Sequence, residues 1–416
     1  MPGFHYHQHI LTCDGLPLTD IASAAGTPCY VYSGGLIRAR YAELAAAFSG
    51  YPHAFHYALK ANSTFALVRL LRELGSQADA NSVGEIEVAL RAGFTPDQIV
   101  FTGVGKTRDE LARAVSLGLK AINAESAGEL ARIDEIGKAQ GRRVRVALRI
   151  NPDVDAQTHP HISTGLKRNK FGVPLGDARA LLRETKSLTN LEVVGVHIHL
   201  GSQMTSLDPL RNAGDRLVAL AQDLKDDGFP LQHIDLGGGL GIAYDGKSDT
   251  VPGVAAYAEV LIGAAKRTGL SLIVEPGRSM VAQSGALLGR VVDLKPAPGG
   301  RQFVILDAGM TELMRPALYG AYHRIVPVVQ DQAAPEIIAD IVGPVCETTD
   351  TFGVERTIAQ PKVDDVFAVL DAGAYGVVMS SNYNRRPMPA EVLVDEGQFR
   401  VIRRRQTVDD MLASEI

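Results

Sequence analysis

The chain has 416 residues, 46% of them hydrophobic, with 42 lysines and arginines against 47 acidic residues and a formal charge of −5. At about 150 residues per domain this length implies two or three domains, unless a barrel absorbs roughly 250 alone, and the charge balance excludes a basic nucleic-acid binder. No apolar run approaches the roughly 18 residues of a membrane span, and the N-terminus MPGFHYHQHI has no secretory signal pattern. Cys13, Cys29 and Cys346 include no CxxC pair, which argues against a disulfide framework or structural zinc and for a reducing compartment. A cytoplasmic enzyme with a small-molecule substrate, and with neither nucleic acid nor membrane as partner, is the expectation.

From residue 50 to 280 short β-rich runs alternate with amphipathic helical segments. The spacing predicts strands at 53–60, 76–81, 98–103, 119–126, 143–151, 191–201, 231–239 and 270–277. The stretches between them, such as STFALVRLLRELG, often close on the glycine expected at a helix C-terminus. A further helix at 36–48 precedes the first strand. Eight such units fit a TIM-type (β/α)8 barrel, here over 34–280, better than a doubly wound open sheet. Beyond 280 the runs at 285–295, 301–309, 336–345, 366–379, 390–397 and 398–405 have little helical pattern between them. They predict a C-terminal all-β, sandwich-like domain over 281–416. Residues 1–33 join it, with PCYVYS (28–33) as a strand of its sheet.

A barrel of this type gathers catalytic groups at the C-terminal ends of its strands. Those ends are Lys60, Asp79, Thr102, Asn123, Arg149, His199, Gly237 to Gly239, and Glu275 to Arg278. Lys60 alone is an ordinary rim lysine, although a neutral amine there can form a Schiff base. GGGLG (237–241) leaves backbone N–H groups open to a phosphate but lacks the GxGxxG and acidic ribose partner of a dinucleotide site. GVGKT (103–107) is not a phosphate loop of the Walker type, since Val100 stands where its first glycine belongs. Glu275 is either an ion-pair partner of Arg278 or a carboxylate beneath a heteroaromatic nitrogen, with Arg278 addressing an anion.

His197 and His199 share a strand face, but the later ligands of a metal-binding barrel are missing, so no metal centre is expected. His199 suits stacking on a flat cofactor and His197 suits the core; His5, His7 and His9 lie too near the terminus to serve as ligands. In the β-rich half, MRPALYGAYH crowds Arg315, Tyr319 and Tyr322, and GPVCETTDT sets Cys346 beside Glu347. A single cysteine is more often packing than catalysis, yet with Glu347 adjacent Cys346 becomes a reasonable proton donor.

HYALKAN, HIHLGSQ, DLGGGLGI, EPGRSMV, RPALYGAYH, GPVCETTDTF and DAGAYG follow one another between residues 56 and 376. Together they resemble the fold-type III pyridoxal-phosphate decarboxylases, and among these the enzymes that act on diaminopimelate. PLTDIASAAGTPCYVYS (17–33) is similar to the family's N-terminus. The resemblance implies pyridoxal 5'-phosphate held covalently by Lys60, stacked on by His199 and paired at its ring nitrogen with Glu275. Ser202, Gly238, Gly239, Gly277 and Arg278 would lie near its phosphate. Arg278, Arg315, Tyr319, Glu347 and Tyr375 would contact substrate or cofactor, and Cys346 would be the proton donor. Thr348 and Thr349 stand where the family commonly has serine.

The resemblance also implies a homodimer in which the β domain of one subunit completes the other's active site. The implied reaction converts meso-2,6-diaminopimelate to L-lysine and CO2, the last step of lysine biosynthesis. Two arginines for a distal carboxylate, with Glu347 for the adjacent ammonium, agree with such a substrate. The alternatives are a decarboxylase of ornithine, arginine or carboxynorspermidine, an alanine-racemase-like enzyme, and a non-catalytic regulatory homologue. Arg315 and Glu347 weigh against the first, the EPGR and GPVCE segments against the second, and Lys60, Glu275 and Cys346 against the third.

Overall fold

Short apolar runs flanked by capped amphipathic helices close into a parallel ring in this chain. The computed structural model describes residues 1–155, 164–166, 169–246 and 251–416. They fall into two compact units, one made of Tyr41–Ile242 with Asp249–Ser279, the other of Met1–Arg40, Ala243–Ser248 and Met280–Ile416.

The first unit is the barrel. Its strands are β1 (His53–Ala58), β2 (Gln77–Ala80), β3 (Ile99–Phe101), β4 (Ala121–Ala124), β5 (Val144–Asn151), β6 (Leu191–His197), β7 (His233–Asp235) and β8 (Ser271–Val274). Each runs parallel to the next, and β8 returns to β1 through Leu272 opposite His53, so the sheet has no open edge. All eight strands overlap the expected positions, and each is shorter because the strand ends turn into loops early. Ser82, Thr107 and Ser126 start helices by accepting the N–H of the third helical residue, Glu85, Glu110 and Glu129. Gly118 and Gly269 end helices at φ 69° and 68°, a conformation that favours glycine.

The barrel core is not purely aliphatic. His56, Asp79, Asn123, His197, His233, Asp235 and Glu275 are all buried. They come from strands all round the ring, and the ones that interact are not all on neighbouring strands. Their contacts therefore cross the interior, directly below the rim where a site belongs.

In the second unit the long strand Gly285–Pro296 is the hub. Its first half pairs antiparallel with Cys29–Ser33 and Val366–Val369, its second half with Gln302–Leu306. Glu336–Val342 and Thr351–Ala359 extend the sheet one way; Ala390–Asp395 and its hairpin partner Gln398–Arg403 extend it the other. The expected strand at 28–33 thus joins this sheet, between Gly285–Pro296 and Ala390–Asp395. Leu11, Leu18, Ile21, Val31, Leu288, Val392 and Val394 pack a common core there.

The run 366–379 was expected to be strand throughout. It ends at Val369, and a loop with Asp371 and Tyr375 at positive φ follows. The hairpin of Phe4–His7 with Ile10–Cys13 and the strand Thr351–Ala359 were not foreseen. No helix among the described residues is long and apolar enough to cross a membrane.

Candidate active site

At the barrel rim, β1 stops at Ala58 and a single 3-10 turn, Leu59–Ala61, carries Lys60. Its Nζ lies 3.3 Å from Oδ2 of Asp79 on β2. Burial, then the charge of Glu275, raises the Asp79 carboxyl above its ordinary range, and Lys60 works against them.

Glu275 follows β8 directly and is buried. His197 Nε2 lies 3.4 Å from its Oε1, and His199 Nδ1 3.8 Å from its Oε2. Burial alone would raise its pKa, but His197 first and Lys60 next outweigh burial and hold the carboxyl below the usual carboxylate range. His199 is neutral at ordinary pH, since burial first and the Lys60 charge second push its ring well down. Its Nδ1 accepts the Gly238 N–H at 3.4 Å.

The loops after β6, β7 and β8 form one cradle. Gly237 and Gly239 have φ of 67° and 101°. A Cβ on Gly238 would stand 2.0 Å from the Glu275 carbonyl oxygen, and one on Gly239 2.7 Å from that of Gly201, so no side chain fits. Arg278 is buried, and its Nε donates to Ser202 Oγ at 3.0 Å. The barrel therefore brings Lys60, His199, Ser202, Gly238, Gly239, Glu275, Gly277 and Arg278 to its C-terminal rim. Lys106 of GVGKT is occupied elsewhere: it is buried, donating to the carbonyls of Gly103 and Asn123 and to Glu129 at 2.7 Å.

The second unit holds two further groups. Buried Asp350 accepts the N–H groups of Met310 and Val345 at 2.6 and 2.7 Å, which shapes the turn bearing Cys346 and Glu347. Both of those residues are exposed. Asn384 Nδ2 lies 3.2 Å from Cys346 Sγ, and the Tyr383 hydroxyl donates to Glu347 Oε1 at 2.7 Å.

Separately, Arg315 is buried with its guanidinium over the Tyr244 ring, 4.7 Å from the centroid. The Leu370 carbonyl takes the proton of His323 Nδ1, so Nε2 is free to accept from Arg315 at 2.9 Å. That fixes the direction of the Arg315 side chain. Tyr319 closes the short helix Arg315–Tyr319, and Tyr375 is half-buried with φ 56°.

Sequence reasoning left Asp79 without a role, read His197 as core, and passed over Asp235, Tyr383 and Asn384. A carboxylate at a buried position of a short barrel strand, QADA or HID, is the signal that would have found both aspartates. NYN at 382–384 offers none.

Residues 35–282 match the family model described as "Pyridoxal-dependent decarboxylase, pyridoxal binding domain". The chain belongs to the pyridoxal-dependent decarboxylases. It is 45% identical to the diaminopimelate decarboxylase of Pseudomonas aeruginosa over 100% of this chain and 99% of that one. A solved diaminopimelate decarboxylase from Helicobacter pylori, complexed with L-lysine, superposes with a TM-score of 0.92 at 39% identity over 96% of this chain and 99% of that one. The one from M. jannaschii, also with L-lysine, gives 0.94 at 36% identity over 100% and 98%.

The cofactor of this enzyme is pyridoxal phosphate, and the barrel rim fits it. Both Glu275 carboxyl oxygens are buried without a hydrogen-bond partner among the described residues, which suits an acceptor for a ring N–H. The glycine cradle suits a group that needs close backbone approach.

Proposed function

We propose that this enzyme converts meso-2,6-diaminopimelate to L-lysine and CO2. The observation that carries the reading is identity of 45% over the full chain to a diaminopimelate decarboxylase, joined to a barrel rim that assembles Lys60, His199 and Glu275. Pyridoxal phosphate supplies the electron sink that amino-acid decarboxylation requires.

The protein's own residues do the rest. Lys60 would hold the cofactor covalently, and neutral His199 would stack on its ring without adding a competing positive charge. Ionised Glu275 would keep the ring nitrogen protonated; a neutral partner there would weaken the sink. Gly238, Gly239, Gly277, Ser202 and Arg278 would hold the phosphate. Cys346 would return a proton to the α-carbon after CO2 departs, with Asn384 beside its sulfur. Arg278 and Arg315 would bind the distal carboxylate and Glu347 the adjacent ammonium, with Tyr319 and Tyr375 lining the substrate. Arg315, already oriented by His323 and Tyr244, loses little freedom on binding.

The rim groups and the Cys346 group belong to different units of the chain. The reading is completed by a cytoplasmic two-fold homodimer in which Cys346 and Glu347 serve the neighbour's cofactor, so that sharing is reciprocal.

The test is CO2 release from meso-diaminopimelate, lysine, ornithine and arginine in parallel. Turnover of diaminopimelate alone, with lysine as product, is expected. Preference for ornithine or arginine would overturn the substrate assignment.

A further inference from the structure

His197 and Asp235 are absent from the roles above, yet they bracket the most important carboxylate of the rim. His197 ends β6, Asp235 ends β7 and Glu275 follows β8; one polar atom from each of the three lies within 4.8 Å of the others. All three are buried. His199 is not the donor to Glu275, because its Nδ1 accepts from Gly238 and stands 3.8 Å away. Of the two histidines, that leaves His197, whose Nε2 is 3.4 Å from Oε1. On the other side, Asp235 Oδ1 accepts the Gly237 N–H at 2.9 Å, while Oδ2 has no such partner among the described residues. Two carboxyl groups this close, out of water, cannot both carry charge.

We propose that His197 and Asp235 are positioning residues for the cofactor. Each would turn a donor toward the Glu275 carboxylate, His197 Nε2 from 3.4 Å and Asp235 as the neutral acid, and together they would hold that anion for the ring nitrogen. The proposal rests on the reading that Glu275 pairs with that nitrogen.

The surroundings agree. Burial, then the Glu275 charge, raises the Asp235 carboxyl well above its ordinary range. Glu275 moves the opposite way, despite burial, because His197 and Lys60 favour its charge. Asp79 is raised by burial, and His56 and His233 are held neutral by burial at about 3. Tyr257, on the helix Val254–Thr268, is raised by burial and stays a neutral phenol. The negative charge of the cluster therefore falls on Glu275. A neutral acid kept in an apolar site in order to donate a hydrogen bond is an established catalytic device.

Two variants test this with readouts beyond turnover. The folded state keeps Asp235 protonated, whereas the unfolded chain ionises above about 3.9. Wild type therefore loses stability as pH rises through that value, and Asp235→Asn, which keeps the donor, does not. The melting temperature of Asp235→Asn is expected to match wild type near pH 4 and to exceed it at pH 7. The infrared band of a buried protonated carboxyl is expected in wild type and lost in the variant. Asp235→Ala is expected to lower kcat about tenfold with little change in KM, as for a lost hydrogen bond to a charged group; Asp235→Asn should recover most of that loss.

A less stable Asp235→Asn at pH 7, or a wild-type infrared spectrum without the band, would overturn the inference. So would one equivalent of divalent metal in the purified holoenzyme, since these three side chains are also possible ligands. Glu275→Gln tests the underlying reading separately. If it turns over normally, the pairing with the ring nitrogen is wrong; if it is impaired while Asp235 proves ionised, only this inference fails.

Discussion

The barrel rim and the Cys346 turn do related work under opposite physical conditions. Around Glu275 most partners are buried, Lys60 and His199 keeping 30% and 14% of their side-chain surface, and charges are fixed by neighbours on four strands or the loops that follow them. Around Cys346 the thiol, Glu347 and Asn384 are exposed, and Tyr383 keeps 43% of its surface. Low dielectric makes the first group a device for setting protonation states. The second is held in shape by the turn around Asp350 but is left open, as the proposed completion by a second copy requires. Under the proposed function, the cofactor half is built in advance and the proton-donor half is left for a second copy to complete.

The comparison breaks most completely at Lys60. Lys60→Ala is expected to abolish both turnover and the borohydride-trapped cofactor adduct; an adduct on any other lysine would move the site away from the rim. Arg315→Ala comes next. Removing a charge-assisted contact to the distal carboxylate costs on the order of 2–3 kcal/mol, about 30- to 150-fold in kcat/KM. Normal turnover of diaminopimelate by Arg315→Ala would return the substrate question to the alternatives.

The buried character of the rim can be measured through pH. Burial raises Glu85, beside Asp79 and Lys60, to about 7, against the Asn81 N–H that lowers it. A carboxyl raised on folding costs stability once the unfolded chain ionises, above about 4.3. Glu85→Gln is therefore expected to gain melting temperature over wild type between pH 4 and 7 and to hold a constant gain above 7; a gain that falls with rising pH would contradict this. The smallest effect belongs to the exposed turn. Glu347, accepting the Tyr383 hydroxyl, lifts that phenol to about 12. Tyr383→Phe removes one solvent-exposed hydrogen bond, and a rise of about two- to fivefold in KM is expected.

Much of this was legible in the sequence, and unevenly so. The barrel strands showed because short apolar runs recur between capped helices; strand ends picked out Lys60, His199 and Glu275 as candidates, and their roles came only from the family resemblance. The strand Thr351–Ala359 was hidden: it lies at the sheet edge with exposed Val354, and Glu355 at φ 53° interrupts its pairing. Edge strands lack the apolar alternation that burial imposes. Asn384 and Tyr383 were hidden for another reason. Their contacts with Cys346 and Glu347 join residues 36 and 38 positions apart, and no local pattern encodes such a meeting.

The division of labour between the two regions is tested most directly by mixing Lys60→Ala subunits with Cys346→Ala subunits. Each parent is expected to be inactive. A heterodimer of the two would contain one site with both residues intact and one with neither. With one half of the dimers mixed, activity is expected to recover to about a quarter of wild type. No recovery after verified subunit exchange would contradict the account, because each site would then draw on a single chain or Cys346 would not be the proton donor.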